Sequence, residues 1–189
     1  MSALGVMGEA GQAVARVFVD GYGKDLAPLS KNSQAWINAL SRAFVTEVMH
    51  CALDSDGNVV GIAAASTHET RAMHPRWPDL REHLGLARAV AAWMFMRPVF
   101  TKPMKYPSGT GYVECVATAK SHRGQGVATA LMAHLETLGF EALMLGVADT
   151  NPGAARIYER LGYTEVSRKR ALFPKLTGYR WHRYLRKQL

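Results

Sequence analysis

The string YVECVATAKSHRGQGVATALMAHLETL, residues 112–138, decides how the chain folds. Its first seven residues, Tyr112 to Thr118, are apolar or β-branched apart from Glu114, which is strand composition. Residues 120–126 are polar and carry Gly124 and Gly126, so the chain turns there. From Val127 onward, Val127, Leu131, Leu135 and Leu138 recur at helical spacing and mark the apolar face of a helix. Downstream, Ala142 to Ala148 is an unbroken apolar run of the kind found in buried parallel strands. Asn151-Pro152 then opens another helix, since Asn caps and Pro is tolerated in the first turn. That helix ends at Leu161-Gly162, and two further strands, 163–172 and 179–185, are joined through Pro174 and Gly178.

Upstream of this unit the pattern predicts a helix over 10–22 and a second over 32–44, with Asn32 or Ser33 as cap. Extended runs at 45–53 and 59–66 flank Asp54-Ser55-Asp56-Gly57-Asn58, which is hairpin chemistry. Residues 67–108 form an insertion. Prolines at 75, 78, 98, 103 and 107 bracket a helical segment over 79–96 that is apolar nearly all round. Such a helix is either core or the wall of a substrate channel. The order αα, ββ, insertion, βαβα, ββ gives a mixed α/β (α+β) fold in one domain, 1–189.

Composition narrows the function. With 189 residues, 48% apolar and 20% charged, the chain is an ordinary globular protein; disorder, collagen and coiled coil are excluded. Two cysteines, Cys51 and Cys115, make no disulfide framework and lack zinc spacing. There is no signal-peptide pattern and no apolar run long enough to span a bilayer, so a cytoplasmic location and no membrane partner are expected. The net charge of +8 sits wholly in 168–189, where 8 basic residues face no acidic one. Either a solvated face of a terminal hairpin or an acidic partner would explain this. Tyr179, Trp181 and Tyr184 within it favour the hairpin, and nucleic acid is not expected as a partner.

The 118–129 turn is the strongest chemical signal. Two glycines bring main-chain amides near a ligand, and the free N–H groups of the following helix suit phosphate. Arg123 adds a cation of suitable geometry. No GxxxxGK[ST] string is present, and the dinucleotide fingerprint would need glycine where Thr129 stands.

Arg123-x-x-Gly126-x-Ala128 resembles the coenzyme A motif of the GNAT superfamily of N-acetyltransferases. Asn151, Ala154 and Tyr158, followed by Leu161-Gly162-Tyr163, resemble the second motif of that superfamily, at a matching separation. The likeness implies a largely antiparallel sheet with helices on both faces, splayed where coenzyme A binds. The superfamily's first strand is short or missing before Ala10. The resemblance further implies direct acetyl transfer from acetyl-CoA to a primary amine. Val116, Ala117 and Thr118 would pair with the pantetheine arm, and Arg123, Gly124, Gln125, Gly126, Val127, Ala128 and Thr129 would hold the diphosphate. Tyr158 would be the acid for the departing thiolate, or else a packing residue. Asn151 would contact the coenzyme or only cap its helix. Glu114 is either a base or an ion-paired strand residue. Cys115, on the opposite strand face unless a bulge intervenes, reads as buried packing. No metal is expected, because no histidine pattern suits one. The alternative to an enzyme is a non-catalytic acyl-CoA sensor docked through its basic end. The acceptor and acyl-chain preference are not readable, and the insertion or the last strand is a candidate homodimer interface.

Overall fold

The computed structural model describes residues 2–3, 9–100, 106–171 and 178–189. Among these, seven strands form one sheet: β1 (Ser2–Ala3), β2 (Met49–Leu53), β3 (Val59–Ser66), β4 (Thr110–Thr118), β5 (Ala142–Ala148), β6 (Thr164–Arg170) and β7 (Trp181–Gln188), in the spatial order β1-β2-β3-β4-β5-β7-β6. Every neighbouring pair is antiparallel except β4 and β5. The run over 142–148 therefore has one parallel and one antiparallel neighbour. The strand expected before Ala10 exists as two residues, paired with Cys51 and His50.

Among the described residues six α-helices flank the sheet: α1 (Glu9–Leu26), α2 (Ser33–Leu40), α3 (Trp77–Leu84), α4 (Leu86–Phe100), α5 (Val127–Leu135) and α6 (Pro152–Arg160). Asn32 is the cap of α2, its side chain accepting from the Ala35 amide at 3.0 Å. Alternation along β3 divides the core. Ile62 and Ala64 face α1 and α2, with Val14, Phe18, Trp36 and Leu40. Ala63 and Ala65 face the other way, with Leu131, Met132 and Leu135 of α5. Burying each such large side chain contributes about 1.5–3 kcal/mol.

The expected single helix over 79–96 is two. Gly85, at φ 76°, ends α3 by donating its N–H to the Arg81 carbonyl, and α4 starts at the next residue. Nor is α4 wholly buried: Ala89, Ala92 and Met96 enter the core, while Leu86, Val90, Met94, Phe95 and Val99 stay exposed. The helix predicted to reach Phe44 stops at Leu40; Phe44 instead bridges Met73. The α5 helix ends at Leu135, three residues short of Leu138.

The basic end is a hairpin, β6–β7, with part of its charge neutralised. Arg183 pairs with Glu159 and Glu165, Lys187 with Glu136, and Arg168 with Glu165. Pro174, Lys175 and residue 172 lie outside the described residues.

Candidate active site

The ladder between β4 and β5 covers only Thr110–Val113 against Ala142–Leu145. Beyond it β4 stays paired to β3 and β5 to β7, so the two strands part and leave a wedge between them. A bulge marks the divergence. Ala64 opposes Glu114 and Ile62 opposes Ala117, so one β3 residue faces two on β4. Cys115 there takes φ 55°, a left-handed conformation rare outside glycine. A bulge bends and twists its strand, which aims the two ends apart.

The bulge also settles the placing of Glu114 and Cys115. Val113 packs in the α5 core, but Cys115 and Ala117 both pack in the α1 core. Glu114, opposite Ala64, shares that side. Burial pushes the Cys115 thiol far up, so it stays an un-ionised packing group.

At the wide end of the wedge sits the 118–129 turn. A 3-10 turn at Lys120–His122 leads into Gly124 (φ 77°) and Gly126 (φ 81°). Gly126 is the N-cap of α5 and supplies no side-chain cap. The first-turn amides of Val127, Ala128 and Thr129 have no intrahelical acceptor by geometry, which suits an anion. Asp20 of α1 holds the turn: its carboxylate accepts from the Lys120 amide at 3.2 Å and pairs with Lys120 Nζ at 3.4 Å. Arg123 donates to the Asp20 carbonyl at 2.7 Å, and Gln125 donates to the Ser121 carbonyl at 3.1 Å. Arg123 thus braces the turn with its guanidinium at the site's rim. Gly61 lets α5 lie close on β3, because any Cβ there would collide with Val127 and Leu131.

These features fit coenzyme A. The uncapped α5 terminus and its glycine turn match a diphosphate. The β4 edge from Val116 to Thr118, without a β5 partner, offers main-chain groups to an extended amide-bearing arm. Tyr22 of α1 donates its hydroxyl to the Val116 carbonyl at 3.4 Å, inside the wedge. Burial raises the Tyr22 phenol far above its usual range, so it remains a donor.

Tyr158 of α6 packs in the α5-side core, 6.1 Å centroid to centroid from Tyr163. Burial pushes its phenol up to about 12. Tyr158 lies on the α5 side of the sheet and Tyr22 on the α1 side. Asn151 accepts from the Ala154 amide at 3.2 Å and is therefore a helix cap.

Glu114 is ion-paired. It and Arg71 are each 7% exposed; Arg71 Nη2 lies 2.6 Å from Oε1 and its Nε donates to Oε2 at 3.1 Å. Ser66 Oγ and the Ala72 amide also donate to Oε2. Both carboxylate oxygens are thus engaged by neighbouring donors, which anchor β4 to the 66–72 segment.

A second face of the wedge was not foreseen. On β7, Leu185 faces the α5 core, so His182 and Tyr184 face away from it. His182 meets Gly146 of the neighbouring β5, and Tyr112 of β4 reaches the same glycine from the other side: a Cβ at Gly146 would collide with the His182 ring and lie 2.9 Å from the Tyr112 hydroxyl. Tyr179 and Tyr184 flank the His182 ring at 5.6 and 5.1 Å, and Tyr106 stacks on Tyr112 at 5.2 Å. None of Tyr22, Arg71, Tyr112 or His182 stands in a motif.

Among the described residues no group of three or more His, Cys, Asp or Glu could hold a metal, and no helix is long and apolar enough to cross a membrane.

The model of the Acetyltransferase (GNAT) family matches residues 17–163. A sequence search of curated proteins finds no match. Among solved structures, one described as an acetyltransferase is 18% identical with a TM-score of 0.60, over 98% of this chain and 97% of that one. A ribosomal-protein alanine N-acetyltransferase from Escherichia coli is 15% identical with a TM-score of 0.57, over 99% and 91%. At these identities the likeness shows the fold.

Proposed function

Because this chain belongs to the GNAT acetyltransferase family, we propose that it moves an acetyl group from acetyl-CoA to a primary amine by direct attack within a ternary complex. We read 1–189 as one such domain, working in a reducing compartment, with 67–108 as an insertion on the acceptor side. The observation that carries the reading is the wedge between β4 and β5 opening beside the uncapped N-terminus of α5.

In this reading the diphosphate meets the amides of Gly124 to Thr129, with Arg123 at the rim, and the pantetheine arm lies along Val116 to Thr118. The thioester carbonyl then sits at the bulge, where a main-chain N–H polarises its oxygen. Such a donor, fixed before the reaction, is typically worth about 2.7–4 kcal/mol. The amine nitrogen attacks the carbonyl carbon, an N–C bond forms and the C–S bond breaks. Tyr158, held protonated by its raised pKa, gives its hydroxyl proton to the departing thiolate. Glu114 fixes Arg71 and the bulge end of β4 in place. Asn151 starts α6 and so sets the reach of Tyr158.

Thermal unfolding with acetyl-CoA, NAD and ATP in parallel tests the first step. A ligand at 100 times its dissociation constant stabilises by about 2.7 kcal/mol, so acetyl-CoA alone should raise the midpoint. Thiol release on adding a panel of amines, including an alanine-ended peptide and a polyamine, tests the second. No shift with acetyl-CoA, or a shift without transfer to any amine, overturns the reading.

A further inference from the structure

The Glu114 carboxylate is held by four donors, so the wedge needs another group to take the proton that the attacking amine sheds. On the acceptor face one side chain is placed to do this. His182 lies on β7 opposite Ala148, at the end of β5 that has parted from β4, and on the face away from Tyr158. We propose that His182 is the acceptor-side base: its Nε2 takes the proton of the attacking amine, in a space that exists because residue 146 is glycine.

Three independent features support the assignment. The first is the cradle: Gly146 on the adjacent strand is glycine at a φ any residue could adopt, yet any side chain there would occupy the place of the imidazole. The sequence keeps this position empty and the ring fills it. The second is the ring's orientation. Nδ1 is buried and has no hydrogen-bond partner. The ring as a whole is half-buried, which leaves Nε2 as the nitrogen that a ligand can meet. Among the described residues no hydrogen bond to His182 Nε2 is formed. The third is charge state. Burial first, and Lys169 second, lower the His182 pKa from 6.5, so the imidazole is neutral and able to accept at pH 7. Among the described residues the titratable groups against the ring are Lys169 of β6, Tyr184 of β7, Tyr179 before β7 and, across Gly146, Tyr112 of β4. None is an anion that would favour the imidazolium at rest.

The step balances. The neutral amine forms an N–C bond to the thioester carbonyl carbon while the C–S bond breaks. The amine's surplus proton goes to His182 Nε2, and the thiolate takes a proton from Tyr158. Solvent then returns the proton from imidazolium to phenolate. Attack and departure thus use opposite faces of the sheet.

This rests on the transferase reading, and the test separates the two. Acetyl-CoA binding is followed by thermal shift, and transfer by thiol release to the best amine of the panel, over pH 5–9. For wild type, kcat/KM should rise with pH along an acidic limb lying below the ordinary histidine value. His182→Ala should bind acetyl-CoA as wild type, lose about 10²–10⁴-fold in kcat, lose the acidic limb, and regain activity with added imidazole. Gly146→Ala, which forces the ring aside while keeping the imidazole, should lose activity without imidazole rescue. Full activity with an unchanged pH limb in His182→Ala overturns this proposal alone. Absence of acetyl-CoA binding or of any transfer in wild type overturns the transferase reading, and this proposal with it.

Discussion

Replacing Glu114 by Gln separates a structural carboxylate from a catalytic one. The substitution keeps shape but removes the charge opposite Arg71, whose side chain is 7% exposed and bonded to both carboxylate oxygens. Arg71 keeps its bond to the Val99 carbonyl at 2.8 Å, a neutral partner. The new amide also turns an NH2 toward either Arg71 or the Ser66 and Ala72 donors, where only an acceptor is wanted. Removing one partner of a buried pair costs about 3–5 kcal/mol. At about 2–4 °C per kcal/mol for a chain of this size, the midpoint should fall by about 6–20 °C. Urea unfolding and calorimetry read the loss. The cycle with Arg71→Met should show coupling above about 1 kcal/mol, since the pair is in direct contact. If Glu114→Gln is within 1 kcal/mol of wild type yet loses its turnover, the carboxylate is a base and the structural account of it is refuted.

Other outcomes follow from the same geometry. Tyr158→Phe should lower kcat by about 10²-fold or more without weakening acetyl-CoA binding; with its phenol near 12, Tyr158 works in its protonated form and puts no alkaline limb below pH 10, so one lost in the variant at pH 8–9 would count against it. Gly61→Val drives a side chain into Val127 and Leu131, and should cost about 1–3 kcal/mol while weakening acetyl-CoA through the displaced α5 terminus; unchanged affinity in a titration would contradict the link. His50 accepts or donates across 3.1 Å to His134, and burial followed by His134 lowers its pKa. The unfolded chain then binds more protons, so stability should fall as pH drops through about 6.5. His50→Gln should flatten that fall in urea midpoints measured from pH 8 to 5.

The order of elements could be read from period and punctuation because each signal is local. The 127–138 stripe, the Asp54–Asn58 turn and the Asn32 and Asn151 caps depend on residues within a few positions of one another. The bulge at Cys115 could not be read: it arises from how β3 and β4 fit, and nothing in Tyr-Val-Glu-Cys-Val requires an extra residue. That single residue reverses which face Cys115 occupies. Likewise the partner of Glu114 lies 43 positions away, in an insertion whose packing no motif encodes. The break at Gly85 was legible in principle, since glycine commonly ends helices, but the apolar run beyond it masked the stop. The candidate phosphate turn stood out because it is one contiguous stretch, residues 118–129. The His182 cluster is assembled from β4, β5 and β7, and contiguity is what sequence reading relies on.

The short β4–β5 ladder has a mechanical meaning. Four rungs join the first half of the sheet to the second; past Val113 the backbone ladder stops, and side chains bridge the halves, Leu131 and Leu143 sharing one core on the α5 side and Tyr112 reaching Gly146 on the other. The sheet is thus like a book bound along one short edge, its two leaves diverging beyond the spine. In the proposed complex an extended ligand lying against β4 would supply the absent rungs and act as a strand of the fold while it is there. Amide exchange along Glu114–Thr118 should therefore slow with acetyl-CoA bound and quicken after the product leaves, so that the protein is most rigid when it is loaded and loosest when the coenzyme must depart.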